Sequence, residues 1–148
     1  MIRRQKMWIR VVLMLLFCLV GCSLPSKVVQ PESQFVRAQD DFMQRLRWKD
    51  YQGAAKHFTE PLQDGFLQQF RNADQLNVTD VSLQHAKYLA ETEQMESEVA
   101  VEYFLLPSAT VKTFCFEQQW TYFRSGEKLT GEWRITSLFP QFPGLESP

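Results

Sequence analysis

Val111-Lys112-Thr113-Phe114-Cys115-Phe116-Glu117-Gln118-Gln119-Trp120-Thr121-Tyr122-Phe123-Arg124 is the stretch that decides the fold. Phe114, Phe116, Trp120 and Tyr122 share one parity, and Glu117, Gln119 and Thr121 hold the other. That period of two suits a half-buried β-strand and no helix. Residues 81–89, 99–106 and 129–139 have the same β-branched and aromatic character and are set apart by short polar stretches, which predicts four strands. Upstream the period is 3.6. Phe35, Val36, Phe42, Met43 and Leu46, with Ser33 as N-cap, predict a helix to about Trp48. Asp50 caps a short second helix through Tyr51, Ala54, Ala55 and Phe58. Pro61 opens a third, with Leu62, Phe66, Leu67 and Phe70 as its stripe. Helices first and strands afterwards describe an α+β domain, with three N-terminal helices packed on one face of a curved four-stranded antiparallel meander.

Strand parity predicts which face that is. A four-residue turn at 125–128 sets Arg124 opposite Leu129, Tyr122 opposite Gly131 and Trp120 opposite Trp133. A four-residue loop at 107–110 sets Tyr103 opposite Phe114 and Val101 opposite Phe116. Both registers place Val99, Val101, Tyr103 and Leu105 on one face with Phe114, Phe116, Trp120 and Tyr122, and add Trp133 and Ile135. Glu98, Glu102, Glu117, Gln119 and Thr121 fall on the other. The first face is the expected core, and Phe104, Cys115 and Phe123 are apolar exceptions on the second.

The 148 residues, 45% of them apolar and 14% aromatic, suffice for one modest globular domain with its own core. With 22% charged residues and 16 Lys and Arg against 17 Asp and Glu, the chain is neither a self-repelling disordered segment nor a basic nucleic-acid binder. Its start is a separate matter. Arg3, Arg4, Lys6 and Arg10 form a basic head before an apolar run at 11–20, which has the length of a signal-peptide core. A membrane-crossing helix needs about 20 apolar residues. The run ends in Leu19-Val20-Gly21-Cys22, which resembles the bacterial lipobox.

That resemblance implies cleavage before Cys22, a thioether between its sulfur and a diacylglycerol, and, with further acylation by palmitate-like chains, firm attachment to a membrane. Ser23 in place of an aspartate implies the outer membrane of the bacterial envelope, facing the periplasm. The residues after Arg3-Arg4 favour the general secretory route over twin-arginine export, and Met7 competes with Met1 as the start. An uncleaved anchor, or an ordinary signal peptide with an incidental cysteine, is the plainer alternative. The chain then divides into a signal peptide at 1–21, a lipidated N-terminus and tether at 22–33, the domain at 34–140 and a C-terminal tail at 141–148. Cleavage takes four of the 16 basic residues and leaves 12 against 17 acidic ones, a net −5 that disfavours anionic lipid and nucleic acid as partners. Cys18 departs with the signal and Cys22 is alkylated. Cys115 is left alone as a structural strand cysteine without a disulfide.

Trp48-Lys49-Asp50-Tyr51-Gln52-Gly53-Ala54-Ala55, then Pro61 before a third helix, then a meander closing on Gly131-Glu132-Trp133-Arg134-Ile135-Thr136-Ser137-Leu138, resemble the nuclear transport factor 2-like superfamily over residues 35–139. The resemblance implies a cystatin-like cone, a sheet wrapped on a long helix. Its members include steroid isomerases, polyketide cyclases and dehydratases as well as proteins without known activity, so the fold leaves function open.

Three functions compete. The superfamily's isomerases use a carboxylate base and an acidic hydrogen-bond donor, but the expected register turns Glu102, Glu117 and Glu132 outward. If Leu89 faces Val99, His85 falls opposite Tyr103 on the inner face, as base and donor, unless it is a core-edge histidine. Asp80 reads as serving a turn and His57 as a surface residue. No Gly-rich phosphate loop, HExxH or GxSxG occurs, so neither metal nor cofactor is expected. The second candidate is an aromatic cavity of Tyr103, Phe116, Trp120, Tyr122 and Trp133 holding an apolar small molecule, against plain core. The third, and the favoured reading, is a non-catalytic binding or assembly module that meets another envelope protein. Its contact surface is the outer sheet face or the apolar residues 139–145, which either dock on the partner or fold back on the domain. Glu91, Glu93, Glu96 and Glu98 read as a solvated hairpin.

Overall fold

The structure, a computed structural model, describes residues 31–124 and 131–145. The signal sequence, the lipobox with Cys22 and most of the tether lie outside the described residues, as do 125–130 and 146–148. Helix α1 spans Pro31–Arg47, α2 Tyr51–Ala55 and α3 Glu60–Gln69. Strands β1 Leu76–Leu89, β2 Gln94–Leu105, β3 Lys112–Arg124 and β4 Gly131–Ile135 follow in one antiparallel sheet of order β1-β2-β3-β4. The chain is therefore an α+β domain whose three helices precede an open four-stranded sheet. Among the described residues no helix is long and apolar enough to cross a membrane.

Helix α1 begins at Pro31, two residues before the expected cap. Proline lacks the N–H that a first helical residue leaves unpaired anyway, so Ser33 lies inside the helix and the tether ends earlier than its composition implies. Glu32 in the first turn and Arg45 and Arg47 in the last complement the helix dipole. Phe35, Gln39, Phe42 and Leu46 form its buried stripe. Lys49 turns the chain at φ 59°, and Asp50 caps α2 by accepting the Gly53 N–H at 2.9 Å. A Cβ at Gly53 would run into the Asp50 carboxylate and the Arg45 guanidinium, so glycine is what lets α2 close against α1.

The inner face of the sheet carries Val99, Val101, Tyr103, Phe116, Trp120, Tyr122, Trp133 and Ile135, all buried, whereas Glu98, Glu102 and Glu117 are exposed on the other. The registers differ from expectation. Trp120 faces Ile135 and Tyr122 faces Trp133, and Val101 faces Phe114 and Val99 faces Phe116. Six residues rather than four separate Arg124 from its partner Gly131, and the β2–β3 ladder ends on Tyr103 opposite Lys112; each register is displaced by two residues, which preserves parity and hence the faces. β4 stops at Ile135, not Phe139. There the chain leaves the sheet, with the Thr136 N–H donating to Gln119 O at 2.8 Å and the Gln119 N–H to Ser137 Oγ at 3.0 Å. β1 and β2 close on a tighter turn than expected, Leu89 facing Gln94, with Glu93 at φ 51° paired to Arg124. Glu96 and Glu98 thus sit in the ladder of this hairpin with their side chains exposed.

Candidate functional site

Trp120 sits at the centre of the inner face and is fully buried. Its ring meets Phe35 edge-on at 5.7 Å, Phe42 at 6.1 Å and the His57 imidazole at 5.9 Å, while Phe35 also meets Trp133 at 5.6 Å. Farther along the face, Tyr103 packs on Phe142 at 4.9 Å and Phe116 on Phe139 at 4.9 Å. The residues expected to line an aromatic cavity are thus packed against α1 on one side and against residues 139–145 on the other. Between them lies a buried polar trio that the sequence pattern hid. Ser97 Oγ donates to Gln39 Oε1 at 3.3 Å, and Gln39 Nε2 donates to Gln118 Oε1 at 3.4 Å. A glutamine on an apolar stripe carries no sign in sequence that it will find two partners across the sheet.

His85 and Tyr103 do not meet. Leu89 faces Gln94 rather than Val99, an odd offset of five residues that sets His85 opposite Glu98 on the exposed face, and beyond it β1 is irregular between Leu83 and His85 and between Val78 and Asp80, so that Tyr103 faces Val78 inside. Asp80, expected at a turn, lies within β1 and pairs with Arg47 at 3.5 Å. Cys115 is a free, exposed strand cysteine opposite Ala100.

The histidine with a built environment is His57. It was expected at the surface, but its side chain is only 16% exposed. Asp50 caps α2 and returns the chain toward the middle of α1. Residues 57–59 then run beside the end of β4, the Ile135 N–H donating to His57 O at 2.7 Å and the Thr59 N–H to Ile135 O at 3.1 Å. The His57 ring is thereby pressed against Phe42 and Trp120, with Nε2 donating to Asp41 Oδ2 at 2.7 Å. The same carboxylate oxygen accepts from Arg45 Nε at 2.6 Å, and Arg45 Nη1 donates to Asp50 at 2.7 Å. The chain His57–Asp41–Arg45–Asp50 therefore ends on the N-terminal cap of α2.

The Arg45 hydrogen bond holds the Asp41 carboxyl below the usual carboxylate value despite partial burial, with His57 helping. Burial lowers the His57 pKa, opposed by Asp41 and assisted by the positive charges of Arg45 and Arg134. His57 is thus neutral at neutral pH, its Nε2–H given to Asp41. Beside it opens a cleft of about 390 Å³ lined by Gln34, Arg45, Lys56, Glu132, Trp133 and Arg134 among others. Its described lining holds no serine, threonine or cysteine that the imidazole could activate, and no group of side chains among the described residues could hold a metal ion. As built, the Asp41–His57 pair joins α1 to the β4 edge. The Asp41–Arg45 half was legible as an i,i+4 pair, but His57 lies 16 residues away and depends on the α1–α2 hairpin. A comparison of the whole chain with protein-family models finds no match, and a comparison with curated proteins finds none either.

Proposed function

We propose that the chain is a lipoprotein of the bacterial envelope, anchored through acylated Cys22 and held at the periplasmic side of the outer membrane. Its domain, similar to the nuclear transport factor 2-like cone, acts as a non-catalytic binding or assembly module. One observation carries the module reading: the aromatic face on which such a cone would hold a substrate is filled by the protein's own Phe35, Phe42, Phe139 and Phe142. Recognition then falls to surfaces and not to an enclosed apolar pocket. The basic head, apolar run and Leu19-Val20-Gly21-Cys22 support the anchor.

Metabolic labelling with an alkyne fatty acid, followed by membrane fractionation, tests the anchor. The expected result is a labelled, membrane-bound wild type and an unlabelled Cys22→Ala variant, and equal labelling of both would contradict it. Photo-cross-linking from the domain surface in intact cells tests the module, with a discrete adduct to another envelope protein as the expected product and only self-adducts or none as the contrary one.

A further inference from the structure

Residues 139–145, Phe-Pro-Gln-Phe-Pro-Gly-Leu, are buried at every third position. Phe139, Phe142 and Leu145 are inside, while Gln141, Pro143 and Gly144 between them are exposed. The segment contributes no strand to the sheet and forms no helix. Between Phe139 and Phe142 its backbone has no regular structure. It then closes a turn with Pro143 and Gly144 at its centre, Gly144 at φ 80° and the Leu145 N–H donating to Phe142 O at 3.3 Å. A proline after each phenylalanine restricts φ and removes an N–H that the domain would otherwise have to satisfy.

The surface that holds this segment is equally specific. Phe142 inserts between Tyr103 at 4.9 Å, Phe114 at 5.2 Å and Phe70 at 5.8 Å, and Phe139 rests on Phe66 and Phe116. The side-chain amide of Gln69 on α3 holds the backbone at both Phe139 and Phe142. Its Nε2 donates to Phe139 O at 3.2 Å and its Oε1 accepts the Phe142 N–H at 3.0 Å. An aromatic-lined groove that takes side chains three residues apart from a proline-punctuated segment, with an amide on the backbone of both anchors, is the kind of surface that binds proline-containing peptides. Before the segment, Leu138 is 77% exposed, a large apolar side chain at the point where it departs from the domain.

We infer that this groove between α3 and the inner faces of β2 and β3 is a peptide-binding site, occupied in cis by residues 139–145. Its partner is a segment of another envelope protein with the same chemistry: aromatic or aliphatic anchors three residues apart, separated by prolines. The inference deepens the module reading and rests on it. Displacement of the cis segment is the binding event, so the partner competes with a ligand held at an effective concentration of order mM.

The test uses the full chain, purified in detergent, and a fluorescent peptide of residues 138–148. Phe142→Ala in the chain weakens the cis ligand and leaves the groove intact. That variant is expected to remain folded by circular dichroism and to bind the peptide saturably, roughly tenfold or more tighter than the wild-type chain does. Phe142→Ala in the peptide, or Gln69→Ala added to the chain variant, is expected to reduce that binding about tenfold. Three results would overturn the inference. One is a folded Phe142→Ala chain that does not bind the peptide, or that binds both peptides alike. Another is loss of fold in both the Phe142→Ala and Gln69→Ala chains, which would make the segment an inseparable part of the core. The third is a concentration-dependent wild-type dimer dispersed by the peptide, which would give the groove to a second copy. None of these depends on lipidation or on cross-linking in cells, so this site and the broader reading fail separately.

Discussion

The two halves of the inner sheet face are covered in different ways. Over Trp120 and Trp133 lies α1, whose backbone satisfies its own hydrogen bonds and whose Phe35, Gln39 and Phe42 reach the sheet. Over Tyr103, Phe114 and Phe116 lies a segment without helix or strand, clamped by the amide of Gln69. Both covers bury phenylalanines completely, Phe42 in one and Phe142 in the other. Equal burial therefore does not mean equal integration. The helix is expected to open only with the whole domain, whereas the segment, which shares its core cluster but adds no helix or strand, is expected to open locally.

Alanine in place of the two phenylalanines breaks that comparison most sharply. Phe42→Ala leaves a cavity among Phe58, Trp120 and His57 that α1 cannot close, and a loss of about 3–5 kcal/mol is expected from urea unfolding. Phe142→Ala is expected to cost roughly half as much, because the segment can lift off instead of holding a void open. Equal costs would place the segment in the core. Next in size is Gly53→Ala. The added methyl must displace the Asp50 cap or the Arg45 guanidinium, and a loss of about 1–3 kcal/mol with unchanged segment docking is expected.

The smallest effect concerns pH. The His57 pKa is lowered in the folded state, so between that value and 6.5 the unfolded chain binds more protons. The His57 contribution is complete above pH 6.5 and is lost as pH falls through the folded value. Urea midpoints should therefore drop from pH 7.5 to pH 5.5 in the wild type and drop less in His57→Gln. Because His57 packs on Phe42 and Trp120, the loss should appear in the α1 half and spare the segment.

Much of this architecture was legible in the amino-acid pattern. Helices before strands, the three helix positions and the identity of the buried face all follow from periodicity, because parity survives a register error of two residues. The registers themselves were not legible for the same reason: Trp120 opposite Trp133 and Trp120 opposite Ile135 bury the same side chains. His85 was misplaced because the β1–β2 turn sets Leu89 opposite Gln94 and not Val99, and an odd offset of five residues exchanges the faces. His57 and Asp41 were missed because their contact arises from the α1–α2 hairpin and not from any spacing. Folding back of residues 139–145 was one of two readings weighed. The clamp by Gln69 was invisible, since a glutamine on a helix surface announces no partner 70 residues away.

Amide hydrogen exchange under native conditions tests the difference between the two covers most directly. The Phe142 and Leu145 amides should exchange through a local opening, well below the free energy that governs the amides of α1 and the β2–β3 ladder, and denaturant should barely alter their rate. Protection of Phe142 equal to that of Phe42, with the same denaturant dependence, would show one cooperative core and contradict the account.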